Sequence, residues 1–182
     1  MNVRTHDFTP TEAAALAELT EKQVRKEIEY NVIRASSPPR LSFPALVYLY
    51  LVRRSALALR VQDRTDLYQR IEHTLALDPL PEHIEVAPPF LLRLSPEVEA
   101  LTDKVDRFFA WKQRLVANPD IMGGSETFPG SRLTVRHIGG LIERGADIDE
   151  IREDYPYLAD DDIEFAQLFV RAYPLVGRPA SR

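Results

Sequence analysis

Apolar residues recur along this chain at spacings that change from helical to alternating and back, and the changes mark out its elements. After Asp7-Phe8, the run Thr9-Pro10-Thr11-Glu12 combines an N-cap threonine, a proline suited to the first helical turn and a glutamate that completes a capping box. Ala13, Ala14, Leu16 and Ala17 make this a short helix whose small side chains admit a close neighbour. Thr20-Glu21-Lys22-Gln23 is a second capped start, followed at helical spacing by Val24, Ile28 and Val32. Two short helices joined by a tight turn meet the requirement of a helix-turn-helix. Val32-Ile33-Arg34 and Arg40-Leu41-Ser42-Phe43, flanking a Ser-Ser-Pro-Pro run, read as a small hairpin, or wing.

A third helix is predicted from Pro44 to Arg60, with Ser42 as its cap. Leu46, Val47, Leu49, Tyr50 and Leu51 make it too apolar for a solitary surface helix. Thr65 to Ala76 is amphipathic, with Leu67, Ile71 and Leu75 inward, and Asp78-Pro79-Leu80-Pro81 breaks it. His83 to Val86 and Phe90 to Leu94 are two short strands, which pair with each other or with a later hairpin. Ser95-Pro96-Glu97 opens the longest helix, to about Val116, striped by Val98, Leu101, Val105, Phe108, Phe109 and Leu115. Trp111 belongs to a core, or anchors two units or a dimer contact.

From Asn118 to Leu168 the pattern changes twice. Gly123, Gly124, Pro129 and Gly130 surround a run ending in the alternating Ser131-Arg132-Leu133-Thr134-Val135, which is turn and strand chemistry. Ile138, Leu141 and Ile142 then share a helical face, Gly145 ends it, and Asp147 caps a helix carrying Ile148 and Ile151. Tyr155-Pro156 closes that helix. Ala159 to Asp162 opens a last one, striped by Ile163, Ala166, Phe169 and Val170. A hairpin with three short helices buries little by itself, so this part is expected to form a homodimer. The expected fold is mainly α with small β-hairpins: an N-terminal winged helix-turn-helix over 1–64, a helical connector over 65–117, and a C-terminal hairpin and three-helix dimerisation unit over 118–182.

Composition narrows the function. With 45% hydrophobic and 28% charged residues the 182-residue chain is globular, and the lack of cysteine excludes disulfides and thiolate metal sites. The sequence has no apolar run of membrane-spanning length and no basic-then-apolar leader, which predicts a cytoplasmic protein without membrane association. The net charge of -5 is uneven: residues 1–64 hold 10 Lys or Arg against 7 Asp or Glu, and the remainder holds 13 against 21. The basic front suits nucleic acid. Its candidate DNA contacts are Lys22, Gln23, Arg25 and Lys26 on the second helix and Arg34 and Arg40 on the wing, with Glu21, Glu27 and Glu29 offsetting them. Arg53, Arg54 and Arg60 either extend that surface or are plain helix-end charges.

Nothing in the sequence asks for an enzyme, a cofactor or a metal. Asp160, Asp161 and Asp162 lie on one helix turn and point in different directions, so they are expected to cap the helix. His6, His73, His83 and His137 are scattered, and Gly123-Gly124 lacks the pattern of a phosphate loop.

Two resemblances add to this reading. Gly123-Gly124, Gly130-Ser131-Arg132-Leu133-x-Val135, Gly145, Ile148-x-x-Ile151, Tyr155-Pro156-x-Leu158 and Asp162-Ile163 resemble domain of unknown function family 433. The chain departs from that family in Ser125-Glu126, where Lys-Pro is usual, in Ser131 of the Gly-x-Arg element, and in Pro129. Phe8 to Phe43 resembles the helix-turn-helix of MerR and excisionase-like proteins in Glu12-Ala13-Ala14, Val24-Arg25 and Ile28-Glu29, with Asn31 in place of the usual glycine.

The first resemblance implies a VapB-type antitoxin, encoded beside a PIN-like ribonuclease toxin that it neutralises, with operator DNA as the other partner. It also implies that the tail inhibits the toxin's acidic site. Arg171, Arg178 and Arg182 would meet the carboxylates while Leu175 and Val176 fill apolar pockets; the competing expectation is a frayed terminus. Two further readings stay open: a helix-turn-helix regulator with no toxin partner, and an interaction module that never touches DNA.

Overall fold

The computed structural model describes residues 5–55, 58–87 and 90–175, and the chain divides into two compact units, Met1–Asp106 and Arg107–Arg182. Most of it is helical, with one two-stranded antiparallel sheet among the described residues.

In the first unit, α1 (Pro10–Leu16) and α2 (Glu21–Glu29) begin as their sequences dictate. The Glu12 N–H donates to Thr9 Oγ1 at 3.1 Å, and the Thr9 N–H donates to the Glu12 carboxylate at 2.8 Å. Thr20 and Gln23 repeat the exchange at 3.3 and 2.9 Å. Each such cap stabilises a helix start by about 1 kcal/mol, which matters for helices too short to persist alone. Between them the chain turns at Glu18, whose φ is 58°, and the Leu19 N–H closes the turn on the Ala14 carbonyl at 2.8 Å. Ala13, Ala14, Leu16 and Ala17 are all buried, and α1 packs on both α2 and the next helix.

The segment expected as a wing takes another course. Val32 and Ile33 are both buried, so the strand alternation is not used, and Leu41 pairs with Phe8 through two backbone bonds of 2.8 Å. Pro38 and Pro39 have no N–H to offer a ladder, and the loop is tied by Ser36, whose hydroxyl donates to the Pro38 carbonyl at 2.8 Å.

Helix α3 (Phe43–Ser55) buries Ala45 through Leu51 without a break, as an all-round apolar helix must. Residues 58–60 are not helical, so it ends earlier than its sequence suggests, and α4 (Val61–Thr74) starts earlier, its Arg60 held by Asp63 at 2.9 Å. Leu67, Tyr68 and Ile71 form the buried face of α4. β1 (His83–Ala87) and β2 (Phe90–Arg93) pair with each other, Ile84 opposite Leu92, and α4 lies against β1. The division between the units falls within α5 (Ser95–Gln113), whose Val98, Leu101 and Val105 are buried in the first.

The second unit is built on aromatic packing. Phe108 and Trp111 from the end of α5 meet Phe165 at ring separations of 6.1 and 5.8 Å, and Trp111 also meets Phe128 and Phe169. All five are buried within one chain. Helices α6 (Val135–Glu143), α7 (Ile148–Asp154) and α8 (Asp160–Ala172) follow the predicted order, with Gly145 at φ 86° ending α6 and Asp147 capping α7.

The expected hairpin is reduced to two isolated bridges, Val116 with Thr127 and Thr127 with Thr134. The cause is Thr134: its hydroxyl accepts from the His137 N–H at 3.2 Å, so the alternating run ends as a helix cap. Among the described residues no helix is long and apolar enough to cross a membrane.

Candidate nucleic-acid interface

Helix α2 is amphipathic in a simple way. Val24 is buried, and at about 100° per residue Lys22, Lys26 and Glu29 lie on the opposite face with Arg25 beside them. Lys22, Gln23, Arg25 and Lys26 are all exposed. They are not equally available. Arg25 is paired with Glu21 at 2.5 Å, and the Gln23 side-chain oxygen is used in the cap. Lys22 and Lys26 make no ion pair among the described residues. Arg34 and Arg40 are exposed on the loop after α2, with Ser36 N–H reaching the Arg40 carbonyl at 3.4 Å. The expected residues of the front thus come from one helix and the loop that follows it.

Glu27, counted in the sequence as an offset to this charge, is turned away from it. Its carboxylate accepts from the Tyr48 hydroxyl at 2.9 Å and is paired with Arg64. Burial, together with the negative charge of Glu27, pushes the Tyr48 phenol well above its ordinary range, so it stays a donor. Sequence reasoning missed Tyr48 and Arg64, which lie 21 and 37 residues from Glu27 and carry no local signal. On the turn before α2, Glu18 is held below the usual carboxylate range by its hydrogen bond from Lys104, at 3.1 Å.

Behind α2 lies a cavity of about 420 Å³. Gln23, Lys26, Glu27 and Tyr30 form one wall, Tyr48, Leu49, Val52 and Arg53 of α3 another, and Arg64 of α4 closes it. A shallower hollow of about 270 Å³ lies among Val116, Ile121, Thr127, Gly130, Ser131 and Arg132 in the second unit.

The residues expected to contact a toxin fall differently. Arg171 is bonded to Glu143 at 2.8 Å, and Gln167 donates to the same carboxylate oxygen at 2.9 Å. Leu175 is 74% exposed, whereas Val176, Arg178 and Arg182 lie outside the described residues. The three aspartates of α8 have separate partners: Asp160 pairs with Arg152 at 3.0 Å, Asp161 with Arg107 at 2.5 Å, and Asp162 caps the helix by accepting from the Ala159 N–H at 3.0 Å. Among the described residues no group of three His, Asp or Glu is arranged to hold a metal ion.

A family described as "Protein of unknown function (DUF433)" matches residues 115–170. An uncharacterized protein, y4eO, of Sinorhizobium fredii is 27% identical over 85 residues, which are 47% of this chain and 38% of that protein. The chain therefore matches less than two-fifths of the length of this curated relative. The crystal structure of Rv2018 from Mycobacterium tuberculosis aligns over 88% of this chain and 96% of its own, at 14% identity and a TM-score of 0.34.

Proposed function

We propose that this chain is the antitoxin of a type II toxin–antitoxin pair, binding its operator DNA through α1 and α2 and neutralising a PIN-type ribonuclease through its C-terminal part. The observation that carries the DNA half is the outer face of α2. Lys22 and Lys26 are exposed without ion pairs among the described residues, Arg25 is beside them, and Glu27 is withdrawn and neutralised. Exposed lysines and arginines on a short, firmly capped helix are donors to phosphates and base edges, and counterion release supplies affinity. The toxin half is supported by the motif resemblance over Gly123 to Ile163 and by the matched residues 115–170. Dimerisation through the second unit would present two copies of α2 to an inverted-repeat site.

A gel shift with the DNA upstream of the chain's own gene, and co-purification with a ribonuclease encoded next to it, test the two halves separately. Binding to neither would overturn the proposal.

One observation favours a second reading, a helix-turn-helix regulator with no toxin partner. Arg171, expected to meet the toxin's acidic site, is already committed to Glu143. DNA binding with no co-purifying nuclease would select this reading.

A further inference from the structure

The cavity behind α2 has a charge excess that its own residues leave unanswered. Glu27 and Arg64 neutralise each other. Lys26 and Arg53 remain on the lining with no carboxylate at ion-pair distance among the described residues; Arg53 spends its Nε on the Glu18 carbonyl at 3.2 Å. Apart from Gln23, the rest of the lining is apolar or aromatic: Leu19, Leu49 and Val52, with Tyr30 and Tyr48. Tyr30 is 52% exposed, and the Arg64 guanidinium stands 5.9 Å from the centre of its ring.

Arg64 adds a second, independent mark. Its Nε is buried with no hydrogen-bond partner among the described residues, a condition that folded proteins seldom leave uncorrected. The guanidinium is held on one side by Glu27, and a modest rotation toward the cavity would bring the unpaired N–H to an incoming acceptor. At about 420 Å³ the space falls near the lower end of small-molecule sites, roughly 300–1,000 Å³, which suits one ring with a short substituent.

We propose that this cavity binds small carboxylic acids with an apolar, ring-sized body. The carboxylate is placed by Lys26, Arg53 and the Arg64 N–H, and the body lies between Tyr30, Leu49 and Val52. A phosphate group satisfies the cations and leaves the apolar walls uncovered; a neutral ring does the reverse. Lys26 also belongs to the outer face of α2, so a bound acid competes for one of the charges offered to DNA. That coupling rests on the proposed role of α2, whereas the binding of the acid does not.

Isothermal titration of the full chain with benzoate and with phenylacetate tests the site, with benzyl alcohol and inorganic phosphate as controls. At least one acid is expected to saturate with a dissociation constant of about 1 mM or tighter. Val52→Trp, which fills the cavity, and Arg53→Glu, on an exposed residue, are each expected to weaken it about tenfold or more. Circular dichroism checks that both variants fold, and Arg53→Glu alone decides the matter should Val52→Trp not fold. Failure of both acids to saturate, parental affinity in a folded variant, or phosphate or benzyl alcohol binding as well as benzoate would overturn the assignment.

Discussion

The indole N–H of Trp111 donates to the carboxylate of Asp162 at 2.9 Å, joining residues 51 positions apart inside the second unit. Asp162 does two things at once, because its other oxygen accepts from the Ala159 N–H at the start of α8. Asp162→Ala removes a helix cap and leaves a buried indole N–H unpaired, so it is expected to cost about 2 to 4 kcal/mol. Trp111 is the only tryptophan of the chain, and its fluorescence during urea denaturation reads this unit directly. A loss under about 0.5 kcal/mol, the range of ordinary surface changes, would mean that the bond is not a structural one.

Gly139 and Gly140 make a matched pair. A Cβ on Gly139 would lie 2.3 Å from the Ala166 carbonyl oxygen of α8, whereas one on Gly140 meets only the Arg144 side chain, at 3.2 Å. Alanine favours a helix over glycine by about 1 kcal/mol, yet overpacking at a helix contact costs about 1 to 3 kcal/mol. Gly139→Ala should therefore lower the melting temperature, and Gly140→Ala should hold or raise it. Equal shifts in the two variants would contradict the close approach of α6 and α8.

Replacing Lys22, Arg25 and Lys26 together with alanine is expected to abolish operator binding while leaving the protein folded. In a salt titration of the single alanine variants, each lost phosphate contact reduces the slope of log K against log salt by about 0.9. Light scattering is expected to give twice 20.8 kDa for parent and variant alike. An unchanged slope would remove α2 as the reader, and a monomeric parent would remove the paired-helix arrangement.

Tyr48 makes an alkaline prediction. Its folded pKa is raised, by burial first, above the ordinary value of 10.0, so the unfolded chain loses its phenol proton before the folded one does. The stability that Tyr48 contributes is complete below about pH 10 and falls as pH rises beyond it, by up to about 1.4 kcal/mol per unit. Tyr48→Phe should flatten that part of the stability profile. A profile that falls as steeply in Tyr48→Phe as in the parent would assign the loss to other groups.

Truncation before Leu175 tests the tail. If the tail blocks the nuclease, removing residues 175–182 abolishes inhibition while α8 and the core around Trp111 stay folded. Full inhibition by the truncated chain would move the contact to another surface.

What could be read along the chain was what is local. Thr9 with Glu12, Thr20 with Gln23 and Asp147 with Asp149 are caps whose partners lie two or three residues away, so helix starts were legible. The stripes of α4, α5 and α8 were legible for the same reason, since one turn of helix repeats within four residues. Thr134 shows the limit. An alternating run and a helix cap are both local readings of the same residues, and the packing of α6 on α8 favoured the cap.

By itself the sequence determined the order of the helices, the capped pair at the front and the positive residues along α2. Tertiary structure alone decided that Glu27 turns inward to Tyr48 and Arg64, that β1 pairs with β2, and that Phe108 and Trp111 supply the core of the second unit. The physical reason is one of range. Capping and periodicity act within a turn or two of chain, whereas the direction of a carboxylate or an indole is set by whichever distant group can satisfy it once water has been excluded.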